Sequence, residues 1–244
     1  MGFIRQSDVI RHNPGEYYIW RPKKIDWIRQ WDPGIVSNLN HDASDPSQFQ
    51  QASLYIFPIY TWFKVNSFLE FSLTPTWQNI NFALVPLGLS LEQDDYFYTR
   101  FLGRYNTDQS KKWSAGLRYG FGKFYDGKRN TLRFSGSLAP IPHFALTVDY
   151  EYNDLENIGH ADQNLETHLT SVGVLLGLYP RLQLSSFYQY NSFNEQGRLN
   201  IRGSWEYLPL IFVYVVINDN ELNSFSPSIN EQQVISKVTL IKQF

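Results

Sequence analysis

From Asp95 onward the sequence alternates, residue by residue, between apolar and polar side chains. An extended strand sends successive side chains to opposite faces, so a period of two commits the chain to a β-sheet with two chemically different faces. "YFYTRFLGRY" sets Phe97, Phe101 and Tyr105 against Arg100 and Arg104. "WSAGLRYGF" sets Trp113, Ala115, Leu117, Tyr119 and Phe121 against Ser114, Gly116, Arg118 and Gly120. "TLRFSGSL", "HFALTVDYEY" and "RLNIRGSWEY" repeat the pattern, with Arg133, Asp149, Glu151, Arg202 and Glu206 on the polar side.

Connections alternate too. "LAPIPH", "LYPRL" and "YLPLI" read as tight turns built on proline, which cannot donate to a sheet ladder. Between them lie "YDGKRN", with a hairpin signal at Asp126–Gly127, and the polar links "NDLENIGHADQN", "NSFNEQGR" and "NDNELNSFSPSINEQ". Short and long connections in turn describe an up-and-down meander.

The first 95 residues predict four strands, in "EYYIWRP", "GIVSNLNHD", "FQQASLYIFPIYTWFKV" and "SFLEFSLTPTW". "NFALVPLGLSLEQDD" is an apolar connection without an assignment, and "KKIDWIRQWDPG", with Trp27 and Trp31, reads as an interfacial turn. The expected total is about thirteen strands, within a range of about 12–14. No internal boundary divides residues 1–244.

Two architectures use such strands: a water-soluble sandwich or barrel with its apolar face inward, and a membrane barrel with its apolar face toward lipid. Three features favour the membrane. Segments of about 10–13 residues suit a tilted crossing. Tyr and Trp gather at strand ends, as in interfacial girdles. Charges recur mid-strand on the polar face: Arg100, Arg104, Arg118, Arg133, Asp149, Glu151, Arg202, Glu206 and Lys237 are predicted to face a lumen. The expected fold is therefore an antiparallel up-and-down transmembrane β-barrel, part of a larger one. The longest apolar run, Leu208 to Ile217, is too short for a membrane helix.

Composition narrows the function. A net charge of −2 offers no basic field for nucleic acid, and no Cys is present to bridge or to ligate metal. The five His form no metal-binding spacing, no nucleophile elbow or phosphate loop occurs, and no cofactor or catalysis is expected. His160 with Asp162, near Asp154 and Glu156, reads as a solvated loop rather than a cation site. His168 and Ser171 fall on opposite strand faces, which argues against a catalytic pair. Inward charges of both signs suit a salt-bridged wall better than an anion-selective lumen, and the loop aromatics Phe193 and Phe225 suit rim anchors better than sugar platforms. The alternatives are a barrel hydrolase acting at the extracellular rim and a soluble all-β binding module.

The final segment "KVTLIKQF", with Val238, Leu240 and Phe244 on one face, resembles the C-terminal signal read by the machinery that inserts bacterial outer-membrane barrels; Lys242 departs from it. The stretches "GFIRQSDVIRHNPGEYYIWRP", "DYEYNDL", "SWEYLPL…VINDN" and "IKQF" resemble the C-terminal part of a Bacteroidota barrel family of unknown function, in which the barrel follows a domain similar to carbohydrate-binding family nine. The resemblance implies an outer-membrane location, lipid and the insertion machinery as partners, and a role with glycans or other extracellular polymers. It also implies that upstream strands, or another chain, complete the barrel, and that residues 1–244 alone do not close stably.

Overall fold

The computed structural model describes residues 9–47, 49–80, 89–159, 162–222 and 231–240. Among them no helix occurs. They form one antiparallel, up-and-down sheet of fifteen strands. The strands are β1 (Val9–His12), β2 (Gly15–Tyr17), β3 (Ile28–Trp31), β4 (Gly34–Asp42), β5 (Phe49–Phe63), β6 (Phe68–Asn79), β7 (Asp95–Asn106) and β8 (Trp113–Phe124). They continue with β9 (Gly127–Ile141), β10 (Phe144–Ile158), β11 (Gln163–Tyr179), β12 (Leu182–Asn191), β13 (Gln196–Leu208), β14 (Ile211–Leu222) and β15 (Glu231–Leu240). The sheet runs β1-β4-β5 and then in sequence order to β15, with β2 on β4 and β3 on β5. Among the described residues no ladder joins β15 to β1.

The three shortest strands come from interruptions. β1 and β2 both pair with β4, at His12↔Leu39 and Gly15↔Val36, and are separated by Asn13 and Pro14. β3 and β4 both pair with β5, at Trp31↔Thr61 and Gly34↔Phe57, and are separated by Asp32 and Pro33. Proline has no N–H to give to a ladder, so each Pro breaks one long strand in two. The neighbouring β5 carries Pro58 at its own register shift, between Ile56 and Ile59. Pro33 and Pro58 thus interrupt the ladder at one level, and Pro14, opposite Ser37, breaks it four residues further along. "EYYIWRP" is accordingly strand only to Tyr17, with Trp20 bridging Trp31, and the expected interfacial turn contains β3.

Strands run further than the sequence suggests. β10 absorbs "NDLENI" and β11 is 17 residues long, so the link between them shrinks to residues 159–162. The expected Asp126–Gly127 turn sits one residue earlier: Tyr125 takes the left-handed conformation (φ 54°) and Gly127 already belongs to β9. Gly127 serves a different need, because a Cβ there would lie 2.2 Å from the Glu156 carbonyl oxygen. The expected tight proline turns are present and are two residues each, Pro142–His143, Pro180–Arg181 and Pro209–Leu210, with Pro140 inside β9.

The chain forms two compact units, one from residues 1–107, 118–132 and 153–165, the other from 108–117, 133–152 and 166–244. In the first, Ile80, Leu89, Leu91, Tyr96, Tyr98, Leu155 and Ile158 make the hydrophobic core, flanked by Phe124, Tyr125 and Leu165. The described end of the unassigned apolar connection, with Leu89 and Leu91, therefore packs into this core; its residues 81–88 lie outside the described ones.

Burial is inverted relative to a water-soluble sheet. Along β6, Glu70, Ser72 and Thr76 are buried while Leu69 and Phe71 are exposed. Phe97, Trp113, Leu117 and Tyr119 are likewise exposed, at 67%, 64%, 50% and 45%. In the second unit the exposed row includes Phe134, Leu138, Trp205, Tyr207 and Val238.

Candidate functional site

The polar face of the first unit is a hydrogen-bonded fabric. Register places Arg11 opposite Asn40, Asn40 opposite Gln51, and Gln51 opposite Gln78, across four strands. The Arg11 Nε donates to Asn40 (3.1 Å), whose amide donates to Gln51 (3.3 Å). One step along, Asn13 donates to Asn38 (3.0 Å).

Glu70 anchors the centre of this face. It lies directly opposite Arg104 across β6 and β7, and Arg104 Nη2 sits 2.7 Å from its carboxylate. The Tyr55 hydroxyl and Ser72 Oγ donate to the same carboxylate, the latter at 2.9 Å. With a side chain 2% exposed, Glu70 is an ion buried with its partner and two further donors, the arrangement a buried carboxylate needs. Arg104 also lies over the Phe68 ring, 4.7 Å from its centroid.

Beside this pair opens a cavity of about 650 Å³ whose lining includes Tyr17, Asp32, Tyr55, Phe57, Arg104 and Arg118. Val36↔Tyr55 and Gly34↔Phe57 bring its aromatic wall together at the interrupted strands. Asp32, in the β3–β4 interruption, is 8% exposed. One of its carboxylate oxygens accepts from Gln30 Nε2 (2.6 Å), and Gln30 in turn accepts from Arg21 (2.9 Å). The other oxygen has no hydrogen-bond donor among the described residues.

The predicted polar-face charges distribute as follows. Arg100 and Arg104 share a face of β7; Arg100 donates to the Arg129 carbonyl (3.1 Å), and both Arg100 and Arg129 lie over Phe124. In the second unit Arg133 reaches Asp149 (3.6 Å) and Glu151 (4.0 Å). Arg202 lies over Tyr214, which is opposite Lys237, and Glu206 accepts from the Leu210 N–H (3.3 Å) at the Pro209–Leu210 turn. Arg202, Glu206 and Tyr214 line a second, smaller cavity of about 300 Å³. Val238 is opposite Val213, which is opposite Trp205, on the apolar face. Leu240 pairs with Ile211 at the end of β15, and Phe244 and Lys242 lie outside the described residues.

His168 and Ser171 do not meet: Ser171 is opposite Gln189, Thr170 opposite Tyr190, and His168 bonds Tyr150 (2.9 Å) on the aromatic face. Asp154 accepts from Asn130 (3.3 Å) and Asp162 lies in a left-handed turn; His160 is outside the described residues. Among the described residues no three His, Asp or Glu side chains are grouped to hold a metal ion. Phe193 is exposed in the β12–β13 turn, and Phe225 lies outside the described residues. Trp27 stacks on Phe63 (5.8 Å), and Trp31 meets Trp20 edge to face (5.9 Å).

Sequence reasoning singled out neither Glu70 nor Tyr55 nor Asp32. Glu70 was legible in principle, as the acidic residue inside "FLEFS", where every alternate position turns polar. Asp32 was not, because its burial follows from the interruption at Pro33. Against known proteins, the chain matches no protein-family model and no curated protein.

Proposed function

We propose that this chain is membrane wall: part of an outer-membrane β-barrel belonging to a surface or transport protein that handles glycans or other extracellular polymers. The observation that carries the reading is the inverted burial, with Glu70 at 2% exposure and Phe97, on the next strand, at 67%. In water, an array of exposed rings and aliphatic side chains of this extent costs free energy at roughly 25 cal/mol per Å². Against hydrocarbon it costs nothing, and on the opposite face Glu70 is paired with Arg104 and Arg133 with Asp149 and Glu151. Glycan handling rests on the family resemblance alone.

In this reading the partners are outer-membrane lipid, the barrel-insertion machinery, and further strands beside the edges of β1 and β15. Edges left unpaired in lipid are expensive. No catalytic step is assigned. Fractionation of expressing cells tests the reading: the chain should sediment with outer membrane, resist alkaline carbonate, and dissolve in detergent. Recovery as a soluble monomer without detergent would overturn it.

A further inference from the structure

We propose that the cavity of the first unit binds a small hydroxylated carboxylate, of the sugar-acid kind, through Arg118. The inference goes beyond the membrane reading and does not require lipid on the opposite face.

The cavity's charges are matched unevenly. Glu70 is consumed by Arg104, Tyr55 and Ser72. Arg118 lines the same cavity, is exposed, and among the described residues pairs with no carboxylate. Nor does Arg100 add a carboxylate: it donates to a main-chain carbonyl, and its Nη2 lies 3.3 Å from where a Gly120 Cβ would stand, on the face that Arg118 shares. The lining thus holds two guanidinium groups and two carboxylates, of which only Arg104 and Glu70 are paired, and the planar fork of Arg118 is left to recognise a ligand carboxylate through two parallel bonds.

Asp32 asks for the opposite chemistry. Its second carboxylate oxygen is buried without a donor among the described residues, a deficit that a ligand hydroxyl can meet. The same cavity is lined by Tyr17, Tyr55, Phe57 and Tyr60, rigid rings that offer apolar area to a ligand body at small entropic cost. The volume, about 650 Å³, falls within the roughly 300–1,000 Å³ typical of ligand sites. A bare inorganic anion leaves the rings idle and is repelled by Asp32. A neutral sugar leaves Arg118 unmet, and an amino sugar meets Asp32 but is repelled by Arg118.

The test is saturation-transfer NMR and calorimetry on the full chain in detergent, with glucuronate, glucose and sulfate at equal ionic strength. Glucuronate should bind saturably and glucose at least about tenfold more weakly, while equimolar sulfate should not displace glucuronate. Arg118→Gln should lower glucuronate affinity about tenfold or more, since a charge-assisted pair is lost. Arg118→Lys should retain part of it, and Arg133→Gln, whose partners are Asp149 and Glu151, should retain all. Arg118 is exposed, and an unchanged near-UV spectrum for Arg118→Gln establishes that the variant is folded. Absence of saturable glucuronate binding, equal affinity for glucose, displacement by sulfate, or unchanged binding in folded Arg118→Gln would each overturn the proposal. None of these results bears on membrane fractionation, so the two readings fail separately.

Discussion

Replacing Glu70 with Ala removes one carboxylate and strands three donors. Tyr55 and Ser72 lose their acceptor, and Arg104 loses the partner at 2.7 Å. Breaking a buried pair from one side costs about 3–5 kcal/mol, because the remaining charge is left uncompensated. Arg104's side chain is 33% exposed, so water can reach it and lower that penalty; we expect about 2–4 kcal/mol. Glu70→Gln keeps an acceptor for Tyr55 and Ser72 and should cost less, about 1–2 kcal/mol. Glu70→Met combined with Arg104→Met removes both charges and should recover most of the loss, since a buried ion pair gains little over well-packed apolar groups. The assay is urea unfolding of the detergent-solubilised chain, followed through its 7 Trp. A Glu70→Ala loss below about 1 kcal/mol, or a double variant no better than Glu70→Ala, would refute the account of Glu70 as the paired centre of the polar face.

Three further outcomes follow from the geometry. Leu117→Arg, on the exposed apolar face, should destabilise by about 2–4 kcal/mol if that position lies near the bilayer midplane, against about 0.5 kcal/mol for an ordinary wetted surface, read from the same unfolding curves. Gly159→Ala should cost at least about 1–3 kcal/mol, because Gly159 has φ 75° and a Cβ would fall 1.9 Å from the Ser90 carbonyl oxygen; susceptibility to proteolysis at residues 89–94 should rise with it. Burial of Tyr125, in the β8–β9 turn, raises its phenol above the ordinary 10.0. Its neutral form is favoured in the fold, so its contribution is intact below pH 10 and is lost as pH rises through the folded pKa; Tyr125→Phe should flatten that alkaline loss.

Much of this fold was legible in the sequence because alternation is a local property. Arg133 faces Asp149 and Glu151, and Ser171 points away from His168, simply by parity along the strand. The proline turns were legible for the same reason, since Pro142, Pro180 and Pro209 punctuate any register. What escaped was non-local. Nothing near Gly127 reveals that its neighbour is the main chain at Glu156, so its Asp-Gly pair read as turn chemistry. The cavity beside the breaks at Pro14 and Pro33 depends on which strands pair there, since its lining includes residues of β2 to β8. Asp32, Tyr55 and Glu70 come to line one cavity only after β3–β6 have paired, and no spacing in the chain announces it.

The central claim is that the ring-bearing face meets hydrocarbon. Because the chain has no Cys, single cysteines carrying nitroxide labels can be placed one at a time along β7 and β8, residues 96–105 and 113–121, in membranes. Accessibility to oxygen should peak at 97, 101, 117 and 119 with a period of two, and accessibility to a water-soluble nickel chelate should peak out of phase, at 118. Nickel access at 97, 117 and 119 equal to that at 118 would contradict the claim.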